Sequence, residues 1–502
     1  MAIAELLSSV AWSQIWSFGA LLLVTICIID FVRDFASHPR FPSHIPSMGK
    51  SGGFNSFIDR FRSIKNYNQW IKDGYSKVSC QYLLSWHNFI VVTNMFTSAC
   101  YSQFGKKGLS FIVPQPLSRH SVVVMPRSQV GWMIDQPDHV LSTYAAHQAA
   151  LFNRYNFLGR RLGHDPFPNQ VMRKHLARHL VTVIPSIDDE VRYVVSRMLG
   201  DDTENWKSFT LWNLWKEIVP PVINRLLVGP ELCRNKQFVE NMTSFSNDVV
   251  RNILVLQMVP KALHPVVGRL LAMVNYMHWR SADAIVQPLI QERLNAMLKH
   301  ANGDPEFENY VPPEEFLTWM IRQAIAENKR FEFDPVILSK RLLPIEFAAI
   351  HTTVMTSKLW IQDLLASDPE TGILDTLRAE INANKPKSGP WTKAAISKLL
   401  DSSIRESQRL SNFSSTMIER KVVSENGIYN PDLELTLPKG SLVVLNVEGT
   451  HHCEDLCENP QSYDPLRYSR MREAWDAKSD EEKKNEPEEG TRMRGLGMSP
   501  RG

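Results

Sequence analysis

The sequence predicts a mainly α-helical fold with small β-sheets, carried on one N-terminal transmembrane helix. Three observations predict it. Helical spacing of apolar residues dominates from about residue 55 to 420. Strand-like runs are few and short. One near-continuous apolar stretch lies close to the start. The chain has 502 residues, 43% of them hydrophobic, and a net charge of +3, which suits a large core and argues against disorder. Its 56 Lys+Arg and 53 Asp+Glu are spread out, so no nucleic-acid footprint is expected. Six cysteines exclude a disulfide scaffold, and the well-separated Cys27, Cys80, Cys100 and Cys233 read as reduced thiols.

Residues 1–34 read as a membrane anchor. Ile15 to Ile29 is apolar apart from Ser17, Gly19 and Thr25. With Val10, Ala11, Phe31 and Val32 it approaches the ~20 residues that span a bilayer. Trp12 and Trp16 suit an interfacial rim, and Arg33, Arg40 and Lys50 follow with no base before them, which places the body in the cytosol. A cleaved signal peptide is the competing reading, but residues 1–14 hold Glu5 and no base, and Asp30-Phe-Val-Arg makes a poor cleavage site. Residues 35–54, with Pro39, Pro42 and Pro46, form a stiff hinge.

The body covers 55–471. A helix is expected to open at Pro185-Ser-Ile-Asp-Asp-Glu, capped by Ser186 or Asp188. Asn241–Met258 and Ile285–His300 carry helical spacing. Leu342–Leu365 is a long buried helix with Pro344 in its first turn. Helices over Gly372–Asn384 and Thr392–Leu410 follow. Strands are expected at Phe89–Thr93, Ser121–Met125, Leu433–Leu437 and Ser441–Asn446, the last two flanking a Pro438-Lys-Gly turn. Residues 472–502 read as a charged, solvated tail, because Asp476–Glu489 has no bulky apolar residue.

Three features could carry chemistry. Glu406 and Arg409 lie three apart on one helix face and can pair, although most such pairs are solvated surface bridges. The Tyr463-Asp-Pro-Leu-Arg467 turn can add a second arginine, whose planar fork suits a carboxylate. Phe347-Ala-Ala-Ile-His-Thr-Thr353 lies in the apolar helix. There Ala348 and Ala349 permit close approach, and Thr352 and Thr353 can bond a carbonyl one turn back. The bland alternative is a core helix with two self-satisfied threonines. His451, His452, Cys453 and Cys457 have zinc-type donors, but their spacing matches no structural zinc pattern.

Taken in order, these features resemble a cytochrome P-450 monooxygenase, in particular the fungal secondary-metabolism group that includes ent-kaurene oxidase and the indole-diterpene oxidases. The resemblance also takes in the anchor and hinge, Arg225-Leu-Leu-Val-Gly-Pro-Glu-Leu-Cys-Arg-Asn235, Leu377-Arg-Ala-Glu-Ile381 and Leu437-Pro-Lys-Gly440. It implies a haem cofactor lying against Ala348 and Ala349, an NADPH-dependent cytochrome reductase as partner, and an apolar, terpenoid-type substrate. It also implies a single-pass protein of the endoplasmic reticulum membrane. Thr352 matches the alcohol that assists proton delivery, and His351 stands where many relatives hold an acid and can relay a proton. Glu406, Arg409 and Arg467 match a structural cluster. Arg173, Lys174 and Arg178 fall where relatives offer a base to a haem propionate; a solvated basic face is the equal alternative.

The family's axial ligand is a cysteine thiolate in a loop after the Asp-Pro-Leu-Arg segment. No cysteine follows Cys457 here, and Cys453 and Cys457 precede Arg467. The sequence is therefore expected to stop short of the cysteine loop. Three origins stay open: a displaced final exon or frame, a true truncation giving an inactive enzyme, or a non-catalytic, membrane-tethered remnant that binds a partner.

Overall fold

A computed structural model of the chain describes residues 12–37, 41–42, 45–47, 53–76, 108–114, 121–159, 161–162, 165–200, 202, 204–386 and 398–485. By contact the chain falls into two compact units. The first comprises Met1–Phe152, Arg251–Ala272 and Thr416–Asn446; the second comprises Asn153–Val250, Met273–Ser415 and Val447–Gly502.

The first unit holds α1 (Trp12–Ser37), α2 (Gly53–Ser76), α3 (Thr143–Ala150) and a five-stranded sheet. Its strands are β1 (Phe111–Pro114), β2 (Ser121–Met125), β3 (Leu141–Ser142), β4 (Thr416–Val422) and β7 (Leu442–Asn446), in the order β1-β2-β7-β4-β3. β2 runs parallel to β7, and the other pairs are antiparallel. Strand alternation divides the core. Val122 and Val124 pack with Phe111, Val113 and Ile71 of α2, while Val123 and Met125 pack with Ile112, Met133 and Leu445. A separate hairpin pairs β5 (Ile428–Asn430) with β6 (Leu435–Leu437). Gly427 opens it at φ +73°, where a Cβ would stand 2.5 Å from the Leu437 carbonyl oxygen, so only glycine fits.

The second unit is helical. It contains α4 (Phe167–Leu199), α5 (Leu211–Val228), α8 (Phe316–Ala326), α9 (Pro335–Leu365), α10 (Ile373–Asn384), α11 (Lys398–Leu410) and α12 (Arg467–Asp476). The helices α6 (Lys236–Met258) and α7 (His264–Ala301) give residues to both units. Asp334 caps α9 by accepting from the Val336 N–H at 2.8 Å, with Pro335 at the first helical position. Val219 of α5 meets Ile350 and Val354 of α9. Leu364, Ile373 and Leu377 gather the end of α9 and the start of α10, with Leu399, Tyr463 and Leu466 packed against them.

The mainly helical architecture with small sheets is as expected, and β2 has the bounds read from the sequence. Several expectations need correction. The expected transmembrane helix is not met: among the described residues no helix is long and apolar enough to cross a membrane. Residues 1–11 of the expected anchor lie outside the described residues. Pro185 opens no helix but lies inside the 33-residue α4; proline deletes one backbone bond, and the packing of a long helix overrides that local signal. α9 begins at Pro335, which puts Pro344 in the helix interior rather than its first turn.

The strands around Pro438-Lys-Gly do not pair with each other. β6 joins β5, whereas both edges of β7 are taken by β2 and β4. The segment expected as a solvated tail begins within α12 and continues into a short helix, Asp480–Asn485. The expected strand at Phe89–Thr93, the start of the helix expected from Thr392, and residues 486–502 lie outside the described residues.

Candidate active-site helix and its bracing cluster

Glu406 and Arg409 stand on the last turns of α11, three residues apart and so on one face. Glu406 is fully buried and Arg409 nearly so. The guanidinium donates twice to the carboxylate, Nε to Oε2 at 2.9 Å and Nη2 to Oε1 at 2.8 Å. Arg467, at the start of α12, donates from Nε to the same Oε1 at 3.1 Å, and the Asp464 N–H donates there at 3.1 Å. The second faces of both arginines reach main chain. Arg409 donates to the carbonyls of His451 (2.8 Å), Pro460 (2.7 Å) and Ser462 (3.1 Å), and Arg467 to that of Glu458 (2.7 Å). One carboxylate and two arginines thus tie the 451–467 segment to α11. Burial alone would lower the Arg409 pKa, but its bonds to Glu406 outweigh that and hold it above the ordinary value. The same burial, with Arg409 nearby, pushes His451 down to about 4, so it is neutral at pH 7.

The other motif pieces serve as framework. Glu380 of α10 accepts from the first N–H groups of α11, those of Leu399 (2.9 and 3.1 Å) and Leu400 (3.2 Å), as a carboxylate at a helix N-terminus should. Gly229, at φ +89°, leaves no room for a Cβ beside the Glu315 carboxylate. Asn235 caps α6 by accepting from the Phe238 N–H at 3.0 Å. Arg234 donates to buried Glu190 at 2.8 Å.

On α9, Ala348, Thr352 and Thr353 are exposed and Ala349 is half-buried, while Leu342, Leu343, Ile345, Ile350 and Val354 are buried. One strip of small and hydroxyl side chains is therefore open on a stretch, 342–354, that is otherwise buried or half-buried. Thr352 Oγ1 donates to the Ala348 carbonyl at 2.7 Å, as its position predicted. That leaves the hydroxyl lone pairs free to accept a proton donor at the open strip. His351 faces elsewhere: its ring meets Phe347 edge-on at 5.9 Å, and its Nε2 is buried without a partner.

The basic trio of α4 does not form one site. Arg173, Lys174 and Arg178 are exposed, and Lys174 Nζ donates to Gln323 Oε1 at 2.7 Å. The buried group on that face is His175, at 3.2 Å from the same oxygen and stacked on Trp319. Sequence reasoning also missed Arg341 of α9. It is 1% exposed and bidentate to buried Glu332, with a further bond to Asp165. No periodicity signals that pairing. A second omission, Glu346, was visible as a lone acid in the apolar run from Leu342 to Ile350.

The sulfur donors decide how the residues fit an iron-bound haem. Cys453 lies 3.7 Å from the Asp455 carboxylate and Cys457 3.7 Å from the Glu458 carbonyl, both ahead of Arg467. Burial pushes the Cys233 thiol up to about 12, which leaves it protonated and a poor ligand. Among the described residues no group of three His, Cys, Asp or Glu could hold a metal. Among the described residues, then, neither Cys233, Cys453 nor Cys457 is placed as an axial thiolate for a haem iron.

Known proteins resemble this chain along most of its length. The family model for cytochrome P450 matches residues 160–486. The chain is 28% identical over 374 residues to cytochrome P450 monooxygenase okaG of Penicillium ochrochloron, covering 74% of this chain and 68% of that protein. It is 29% identical to cytochrome P450 monooxygenase fumoB of Cordyceps fumosorosea, over 74% of this chain and 66% of that one. With cytochrome P450 monooxygenase 103 of Postia placenta it shares 27% identity over 90% of this chain and 81% of the other. Matched over more than half its residues, with the bracing cluster assembled and the threonine strip open, the chain belongs to the cytochrome P450 family, whose monooxygenases use haem, a reductase partner and a small-molecule substrate.

Proposed function

We propose that this protein is a membrane-tethered monooxygenase of fungal secondary metabolism that oxidises an apolar, terpenoid-type intermediate. One atom of dioxygen enters a C–H bond and the other leaves as water, with two electrons from NADPH delivered by a cytochrome reductase. The observation that carries the reading is the open Ala348–Ala349–Thr352 strip on α9, in the helical unit that Glu406 and its two arginines brace. In this role Thr352 holds a proton donor at the strip, while His351, turned into an aromatic contact, tunes packing.

A tether at the endoplasmic reticulum with a cytosolic body is supported by α1, on which Phe18, Leu21, Leu22, Leu23, Val24, Ile28 and Ile29 are exposed. Such a surface is costly in water, at about 25 cal/mol per Å² of apolar area, and is relieved in lipid. An apolar substrate would partition to the same place. The test is to express the gene from its own locus in a fungal host and feed terpenoid, polyketide and meroterpenoid candidates under labelled dioxygen. A terpenoid product carrying one labelled oxygen is expected; labelled product from polyketides alone would overturn the substrate class, and none from any candidate the reaction. The donor set favours a second reading, a non-catalytic tethered remnant of the fold that binds a partner, and for that reading no labelled product would form.

A further inference from the structure

Glu346 is the one acid in the apolar core stretch of α9, and its side chain is fully buried. Its partner is Asn224 of α5, also fully buried. Asn224 Nδ2 donates to Glu346 Oε1 at 2.7 Å and to the Pro220 carbonyl at 3.0 Å, so both amide hydrogens are used. Two atoms remain without partners, Glu346 Oε2 and Asn224 Oδ1. With an ionised carboxylate both are acceptors, and two acceptors cannot satisfy one another. Turning the amide over would set its oxygen against the Pro220 carbonyl and the Glu346 oxygen, so the amide orientation is fixed by its surroundings. A single proton resolves both orphans at once.

We infer that Glu346 is a positioning residue kept as a neutral carboxylic acid, whose Oε2–H donates to Asn224 Oδ1 and closes a two-point acid–amide clasp between α9 and α5. The clasp lies two residues, about half a turn, before the Ala348–Thr352 strip, so it sets the rotation and height of that strip. Only this consequence rests on the proposed function; the clasp stands on the geometry of two side chains. Electrostatics agree. Burial pushes the Glu346 carboxyl up to about 8, with the Asn224 bond pulling the other way, and no charged group contributes. Lys216, Glu217 and Arg225 on α5 exert no effect on it, nor do Arg341 and His351 on α9, His175 on α4, Arg322 on α8, Arg405 and Glu406 on α11, or Arg330 and Glu332 on the turn before α9.

The sign of the pH dependence follows. A carboxyl whose folded pKa is raised contributes stability that is present below its ordinary value of 4.5 and lost as pH rises toward about 8. The variant Glu346→Gln reproduces both bonds without a titrating proton. In the detergent-solubilised full chain, the folding constant of the wild type is expected to fall tenfold per pH unit relative to E346Q across that window. The infrared spectrum at pH 7 is expected to show a protonated carboxylic-acid carbonyl band that E346Q lacks. Equal pH slopes, or no such band in the wild type, would overturn the clasp. So would an E346Q protein that fails to fold, because glutamine supplies the same donor and acceptor. None of these readouts needs haem or substrate, so they stand apart from any failure of the proposed reaction.

Discussion

Glu406 accepts from two arginines, whereas Arg341 donates to two carboxylates. Both clusters are buried in the helical unit, and they solve opposite charge balances. Around Glu406 the surplus is one positive charge, and four carbonyl oxygens between residues 451 and 462 meet it. Around Arg341 the surplus is one negative charge. It falls on Asp165, whose side chain is 37% exposed and reaches water, while Glu332 stays 2% exposed. The first cluster therefore fixes a long loop, and the second pins the start of α9 to the entry of α4. A buried pair adds little over a well-packed apolar pair but costs much when one partner is removed. The comparison turns on which partner is removed.

Removing Glu406 should have the largest effect. Glu406→Ala leaves two arginines uncompensated, and a loss at or beyond the upper end of about 3–5 kcal/mol is expected, read as a fall in the urea midpoint or as insoluble protein. A loss under about 1 kcal/mol would mean that the carbonyls alone hold the arginines. Arg341→Met should rank next, at about 3 kcal/mol, because the thioether fills the space but Glu332 loses its cation. Asp165→Asn should cost less than about 1 kcal/mol, since its oxygen is partly hydrated. If Asp165→Asn matched Arg341→Met, the charge-balance contrast between the clusters would fail. Thr352→Ala is the smallest change in stability, a gain of up to about 0.7 kcal/mol from helix propensity at an exposed site. Its expected signature is functional: oxygen consumption without matching product in the active enzyme. Unchanged coupling would move proton delivery away from Thr352.

The same contrast shows what a sequence can disclose. Glu406 and Arg409 are three residues apart, and the Asp464-Pro465 turn marks the second arginine, so short spacing and turn chemistry made that cluster legible. Arg341 pairs with Glu332 nine residues back, across a helix start, and with Asp165, 176 positions away. No period links those positions. Ser121–Met125 was legible because a valine run buried on both faces has one good solution. The strands on either side of Pro438-Lys-Gly were legible but their partners were not, because turn chemistry names a turn and not the strands free to join it. At Pro185, packing along α4 outweighed one lost backbone bond. Glu346 was legible as an anomaly, an acid among leucines and isoleucines; its partner was not, since Asn224 lies 122 positions away.

The most direct measurement is the carbon monoxide difference spectrum of the reduced 502-residue chain, produced with ample haem supply. Among the described residues, Cys453 and Cys457 contact neighbouring oxygens and Cys233 is held as a buried thiol. The expected spectrum lacks the thiolate-type band. A full thiolate band would show that a cysteine of the chain reaches the iron, and would contradict this reading if the band were lost on replacing Cys233, Cys453 or Cys457.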